Sequence, residues 1–239
     1  MRILPYGEKA ILLEFEQQIS TAVSQQVQHW EQAILNAKIT NLSYTIPAYA
    51  SLVLVFDRPI KEIQITIDKI RALEAQLSHQ KALVRPKRHL KIPVCYELPY
   101  ALDQSELIKT KSLTWEEIVA AHLGNTYRVY MLGFSPGFAF MGKLPTNLEV
   151  KRKTIPRLKV PSGSVGIAGQ QTGIYPDEIP GGWQIIGRTP IPIFAPLREN
   201  PFLFQAGDQV QFQAISQNQF LAIQTELEQQ TFNWGQLYE

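Results

Sequence analysis

Residues 156–176 read P-R-L-K-V-P-S-G-S-V-G-I-A-G-Q-Q-T-G-I-Y-P, and this stretch decides the fold. Glycine recurs every three or four residues between small and β-branched side chains, a pattern that suits strands joined by tight turns rather than helices. The same texture fills the second half of the chain. Of 14 glycines, only Gly7 precedes Gly124, and 12 of the 16 prolines follow residue 90. Two architectures in one chain are therefore expected, with a boundary near residue 88.

Residues 1–88 read as a small α/β sandwich domain. Lys9 to Phe15, Ile39 to Ile46 and Ser51 to Asp57 have strand character. Ser20 to Ala37 places Val23, Val27, Trp30, Ile34 and Ala37 on one helical face, with Ser20 or Thr21 as its cap. Pro59 opens a second helix, whose buried stripe is Ile63, Ile67, Ile70, Leu73, Ala75 and Leu77. Helices on one face of a small sheet follow from that order. Arg85-Pro86-Lys87-Arg88-His89 marks the junction, either as a solvated linker or as a basic patch for a partner.

Residues 89–239 read as a β-barrel or sandwich domain, making the whole chain α+β. Leu90 to Tyr96 is a strand. Leu102 to Lys109 and Thr114 to Leu123 are helical, the second capped by Thr114 with first-turn acids. Strands follow at Thr126 to Leu132, Phe138 to Met141, Ser164 to Ala168, Gln184 to Ile186 and Gln209 to Ile215. A terminal helix spans Ser216 to Gln230.

Composition narrows the function. The chain has 239 residues, 45% hydrophobic and 18% charged, which is globular composition. Its formal charge of +2 does not argue for nucleic acid. No apolar run approaches the ~20 residues of a membrane span. The opening residues reach Gly7 and Glu8 before any signal-type apolar block develops, so a cytoplasmic protein is expected. Cys95 stands alone, which excludes an internal disulfide. The four histidines lack H-x-x-x-H spacing, so no metal site is expected. Among them His122 is the one to consider as an acid or base, against a hydrogen-bonded structural role.

The chemistry-bearing residues concentrate between 131 and 190. Met131-Leu132-Gly133-Phe134-Ser135-Pro136-Gly137-Phe138 is either a pocket-lining loop or a tight barrel corner. Ser135 lies outside any G-x-S-x-G elbow and is not read as a nucleophile. The basic run Lys151 to Lys159 ends in Pro161-Ser162-Gly163-Ser164, where charge, hydroxyls and backbone amides could hold an anion; a solvated face is the alternative. Neither Walker nor dinucleotide spacing occurs in Gly163 to Gly169, so ATP binding by this chain is unsupported. Tyr175 and Trp183 suit the apolar wall of a small-molecule pocket, with Gln170 and Arg188 as polar contacts, or a packed core.

Three motifs then stand together: Y-R-V-Y-M-L-G-F-S-P-G-F at 127–138, the quoted stretch at 156–176, and P-G-G-W-Q-I-I-G-R-T-P at 180–190. In this order they resemble the allophanate hydrolase subunit 1 family. The resemblance implies an N-terminal α/β domain and a cyclophilin-like β-barrel. By motif position it implies substrate or anion contacts at Phe134, Pro136, Gly137 and Phe138, and at Arg157, Pro161, Ser162, Gly163 and Ser164. Gln170, Tyr175, Trp183 and Arg188 complete that set, and His122 occupies the family's histidine position. Two departures stand out. Val150-Lys151-Arg152-Lys153 replaces a more usual P-R-R segment, and Ile179 replaces a small polar residue before P-G-G-W.

The implied function is that of a non-autonomous subunit of an ATP-dependent 5-oxoprolinase complex. It would act on a small carboxylate substrate with a subunit 2 (PxpC-like) partner and a PxpA-like amidohydrolase component, the assembled complex using ATP. The alternatives are a KipI-like inhibitor of a sensor histidine kinase and, more weakly, an allophanate hydrolase or urea amidolyase subunit.

Overall fold

The computed structural model describes residues 1–79 and 88–238, and it divides into two compact units, 1–86 and 87–239. Ala75 has no described side chain, and residues 85–87 of the basic stretch lie outside the described residues.

In the first unit, β1 (Arg2–Pro5), β2 (Ala10–Glu14), α1 (Thr21–Asn36), β3 (Leu42–Pro47), β4 (Ser51–Phe56) and α2 (Ile63–His79) follow one another. The strands form an antiparallel sheet in the order β1-β2-β4-β3. Alternation along β2 and β4 buries Ile11, Leu13, Leu52, Leu54 and Phe56 in one cluster with Val23, Val27, Trp30 and Ile34 of α1 and Ile67 and Ile70 of α2. Ser20 caps α1, its Oγ accepting from the Val23 N–H at 3.1 Å. The second helix begins four residues after Pro59, because residues 61–62 form a turn.

The second unit contains β5 (His89–Val94), α3 (Gln104–Lys111), α4 (Trp115–Leu123), β6 (Thr126–Leu132), β7 (Ala139–Gly142), β8 (Arg157–Val160), β9 (Ser164–Ala168), β10 (Gln171–Ile174), β11 (Ile179–Gly181), β12 (Gln184–Arg188), β13 (Gln209–Ala214) and α5 (Gln217–Glu228). Seven strands make one sheet in the order β12-β9-β10-β7-β6-β13-β5, and β11 pairs with β8 beside it. All pairs are antiparallel except β13 with β5. The sheet curls until its two edges meet at Cys95 and Arg188. Its inner face buries Ile92, Val94, Val129, Met141, Val165, Ile167, Ile174 and Ile186 in a common core with residues of α3 and α4. Two capping boxes start the helices, Thr114 with Glu117 on α4 and Ser216 with Gln219 on α5.

Strands β8, β10 and β11 are absent from the sequence reading. Each is three or four residues long, and Gly173 and Pro180 interrupt their patterns. Of the basic stretch at the junction, Arg88 donates from Nε to Asp208 Oδ1 at 2.9 Å and from Nη2 to the Leu203 carbonyl at 3.0 Å, while His89 begins β5. Among the described residues, no helix is long and apolar enough to cross a membrane.

Candidate functional site

A cavity of about 300 Å³ opens where residues of β7 and β11 meet the 134–138 and 152–156 loops. Three phenylalanines, Phe134, Phe138 and Phe140, wall it together with Tyr175 and Trp183. Its remaining wall comes from Arg152 and from the backbone-rich residues Pro156, Pro180, Gly181 and Gly182. The lining thus has one cation and one phenol; among the described residues no carboxylate, histidine or thiol faces it.

The wall is built from the glycine spacing of β9 and β10. Gly166 and Gly173 are register partners in that hairpin. A Cβ on Gly173 would stand 2.8 Å from the Ala139 carbonyl oxygen, 3.2 Å from Phe138 and 3.2 Å from the Trp183 indole. Bare backbone at this crossing lets the indole lie close over the strands. Phe138 meets Tyr175 and Trp183 edge-on, with ring centroids 5.1 and 5.4 Å away. Trp183 is 4% exposed and Tyr175 1%: both are core side chains that also line the cavity. Burial pushes the Tyr175 phenol up, against the lowering effects of the Trp183 backbone hydrogen bond and the Arg152 and Arg157 charges, so it stays protonated at neutral pH.

Phe134 differs from the other aromatics. It is 70% exposed, touches Phe138 edge-on at 5.7 Å, and has φ of 66°. A non-glycine residue at positive φ carries a backbone penalty, here in a loop whose Phe138 N–H donates to Ser135 O at 3.1 Å. The Gly133–Gly137 loop is therefore both a tight corner and the rim of the cavity. Pro136 is exposed and Gly137 is buried, and neither lines it.

Behind the cavity lies a charge cluster that sequence reasoning missed. Asp103, just before α3, is 3% exposed. Its Oδ1 accepts from Lys153 Nζ at 2.8 Å and Arg157 Nη2 at 2.6 Å, and its Oδ2 from the Ile185 N–H at 2.6 Å. Glu106, one turn along, accepts from Lys153 and from Gln184 Nε2 at 3.0 Å. Burial alone would raise the Asp103 carboxyl, but the Arg157, Lys153 and Ile185 donors outweigh it and hold it below the usual carboxylate range. The Lys153 N–H also donates to the Gly182 carbonyl at 2.7 Å, so the cluster fixes the 152–157 wall against the 181–185 wall.

The other residues expected at the site are placed elsewhere. Arg157 belongs to the Asp103 cluster and does not line the cavity. Ser162 donates from Oγ to the Pro176 carbonyl at 2.9 Å, and Arg188 Nε donates to the Ser162 carbonyl at 2.6 Å. Pro161, Gly163 and Ser164 make the turn into β9: the Gly163 N–H donates to Tyr175 O, and Ser164 O accepts from the Tyr175 N–H. Gln170 is exposed at the far end of the β9–β10 hairpin, about 17 Å along the strand from Tyr175 at ~3.4 Å per residue.

His122 is fully buried on α4. Thr172 Oγ1 donates its one proton to Gly166 O at 3.1 Å, so it accepts from His122 Nε2–H at 3.0 Å. Nδ1 is then the acceptor for the Tyr96 hydroxyl at 2.9 Å. The ring stacks on Tyr127 and Phe212, and burial lowers its pKa to about 3. A neutral ring with both nitrogens occupied, outside the cavity lining, is a core element; this placement offers no substrate access for acid or base work.

Comparison with known proteins places the chain in a family. Residues 1–204 match the family described as carboxyltransferase domain, subdomain C and D. The chain is 34% identical over 233 residues to a 5-oxoprolinase B subunit of Bacillus subtilis (strain 168), covering 92% of this chain and 95% of that protein. It is 35% identical to the Escherichia coli O157:H7 protein of that name, covering 86% and 92% of the two chains. The Haemophilus influenzae protein of the same name is 37% identical, with 89% and 97% covered. Among solved structures, a conserved uncharacterized protein from Pyrococcus horikoshii is 36% identical with a TM-score of 0.54, covering 92% of this chain and 100% of that one. The K. lactis urea amidolyase has a TM-score of 0.80 at 17% identity; it shares the fold over 97% of this chain, which spans 16% of that one.

Proposed function

The chain belongs to the allophanate hydrolase subunit 1 family, the carboxyltransferase subdomain C and D proteins, and on that premise we propose that it is the B subunit of an ATP-dependent 5-oxoprolinase. The observation that carries the reading is its kinship, at 34–37% identity over nearly their whole lengths, with three proteins named as B subunits of 5-oxoprolinase. In this reading the chain works with a subunit 2 (PxpC-like) partner and a PxpA-like amidohydrolase component. The complex opens the lactam of 5-oxo-L-proline to L-glutamate at the expense of ATP.

The cavity supports this role chemically. Five aromatic side chains offer flat apolar faces to a small ring, and one guanidinium stands at their edge. The lining offers no acid–base pair among the described residues, which fits a composite site whose reacting groups come from another component of the complex. Ile155 and Leu158, on the segment that forms one wall, are 82% and 86% exposed, and apolar side chains held in solvent next to a site suit a docked partner. The test is complementation. A bacterium lacking its own 5-oxoprolinase B subunit, grown with 5-oxoproline as nitrogen source, regains growth when this chain is expressed; failure to grow with the chain present and soluble contradicts the reading.

A further inference from the structure

Residues 151–159 carry five cations: Lys151, Arg152, Lys153, Arg157 and Lys159. Three of them are committed within the protein, Lys153 and Arg157 to Asp103 and Lys159 to Glu178 at 2.9 Å. Lys151 does not line the cavity. Arg152 does, with its Cζ 5.9 Å from the centroid of the Trp183 ring, and no carboxylate among the described residues pairs with it. We infer that Arg152 is the residue that reads the acid group of a small cyclic carboxylate seated in the aromatic cavity, and that Asp103 sets this selectivity by holding Arg157 and Lys153 out of it. This inference rests on the proposed function for the identity of the ligand, 5-oxoproline.

The physical argument runs through the aromatic wall. A guanidinium near an indole gains cation–π stabilisation and keeps N–H donors available for a carboxylate fork. A lysine here would offer a mobile point charge without that planar match. Asp103 fixes both neighbours of the site at once. It binds the cations that directly follow Arg152 and Pro156, Lys153 and Arg157, and through the Ile185 N–H it holds the strand that follows Trp183. The cavity keeps a single cation, so the acid group has one place to go and the ring lies on the aromatics.

The test uses the assembled complex. Arg152→Ala is expected to raise the KM for 5-oxoproline about ten-fold or more, the loss typical of a charge-assisted contact, with kcat within about two-fold. Arg152→Lys recovers part of the loss. In wild type the neutral amide of 5-oxoproline inhibits far more weakly than a carboxylate competitor, and in Arg152→Ala the two become equal. An unchanged KM, or preserved acid-over-amide discrimination, overturns the inference while leaving the proposed function in place. If the wild-type complex does not turn over 5-oxoproline, the proposed function fails, and titration of the full chain by tryptophan fluorescence decides the inference separately. Acid-selective quenching that Arg152→Ala abolishes supports it, and no acid-selective quenching in wild type overturns it.

Discussion

Cys95 and Arg188 exchange two backbone hydrogen bonds, 2.8 Å from the Cys95 N–H and 2.9 Å from the Arg188 N–H. They join the edges of the seven-stranded sheet, for Cys95 follows β5 directly and Arg188 ends β12. An edge left open presents unpaired backbone groups, and here the seam pairs those of Cys95 and Arg188. Gly187 makes the approach possible: a Cβ there would stand 2.7 Å from the Cys95 carbonyl oxygen and 2.9 Å from Val94. Gly187→Ala is therefore expected to destabilise the protein by about 2–3 kcal/mol, as overpacking against backbone does. Urea denaturation measures it, and an unchanged midpoint would show that the seam yields freely.

His122 predicts a pH dependence. Its folded pKa of about 3 lies below the ~6.5 of an unfolded histidine, so the unfolded chain binds the extra proton first. Stability from this group is complete above ~6.5 and falls on acidification towards 3, by at most about 1.4 kcal/mol per pH unit. Replacing His122 with glutamine removes this slope at some cost in stability. Denaturation midpoints at pH 7, 6 and 5 for both proteins provide the comparison, and parallel curves would contradict the buried neutral ring.

The Asp103 cluster should behave as one unit. Asp103→Ala strands Arg157, whose side chain is 24% exposed, and leaves Lys153, 19% exposed, with Glu106 alone as its carboxylate, so water and Glu106 compensate in part. A loss of about 2–3 kcal/mol is expected, the low end for a broken buried pair once that screening is counted. Since the Asp103 carboxyl is held below its usual range, its contribution is present above ~4 and is lost as pH falls through the lowered value. A double-mutant cycle of Asp103→Ala with Arg157→Ala should give strong coupling; additive losses would dissolve the cluster.

Phe134 separates stability from function. Phe134→Gly relieves the positive φ and sacrifices little burial, so stability is expected to hold or to rise by up to about 1 kcal/mol. The same change removes one aromatic wall and raises the KM of the complex. A fall in stability, or an unchanged KM, would mean that the residue serves packing rather than the cavity.

How much of this is legible in the sequence depends on whether local pattern or long-range pairing decides the outcome. The α1 stripe of Val23, Val27, Trp30 and Ile34, the Ser20 and Thr114 caps, and strands β6 and β9 emerge where periodicity and capping chemistry act locally. So do the aromatic walls at Phe134, Phe138, Tyr175 and Trp183. The basic run reads as either an anion site or a solvated face because charge count says nothing about partners. Asp103 lies about fifty residues upstream of Lys153 and Arg157, and only the fold brings them together. Arg152 is hidden among its neighbours for the same reason. His122 stands out as a titratable group, yet its burial between Tyr127 and Phe212 depends on strands that follow it in the chain.

The most direct measurement is 5-oxoproline-dependent ATP hydrolysis by this chain alone, by its partner subunits without it, and by the complete mixture. The proposed role predicts turnover in the complete mixture only. Equal turnover by the partners without this chain, or none in a mixture shown to assemble, would contradict it.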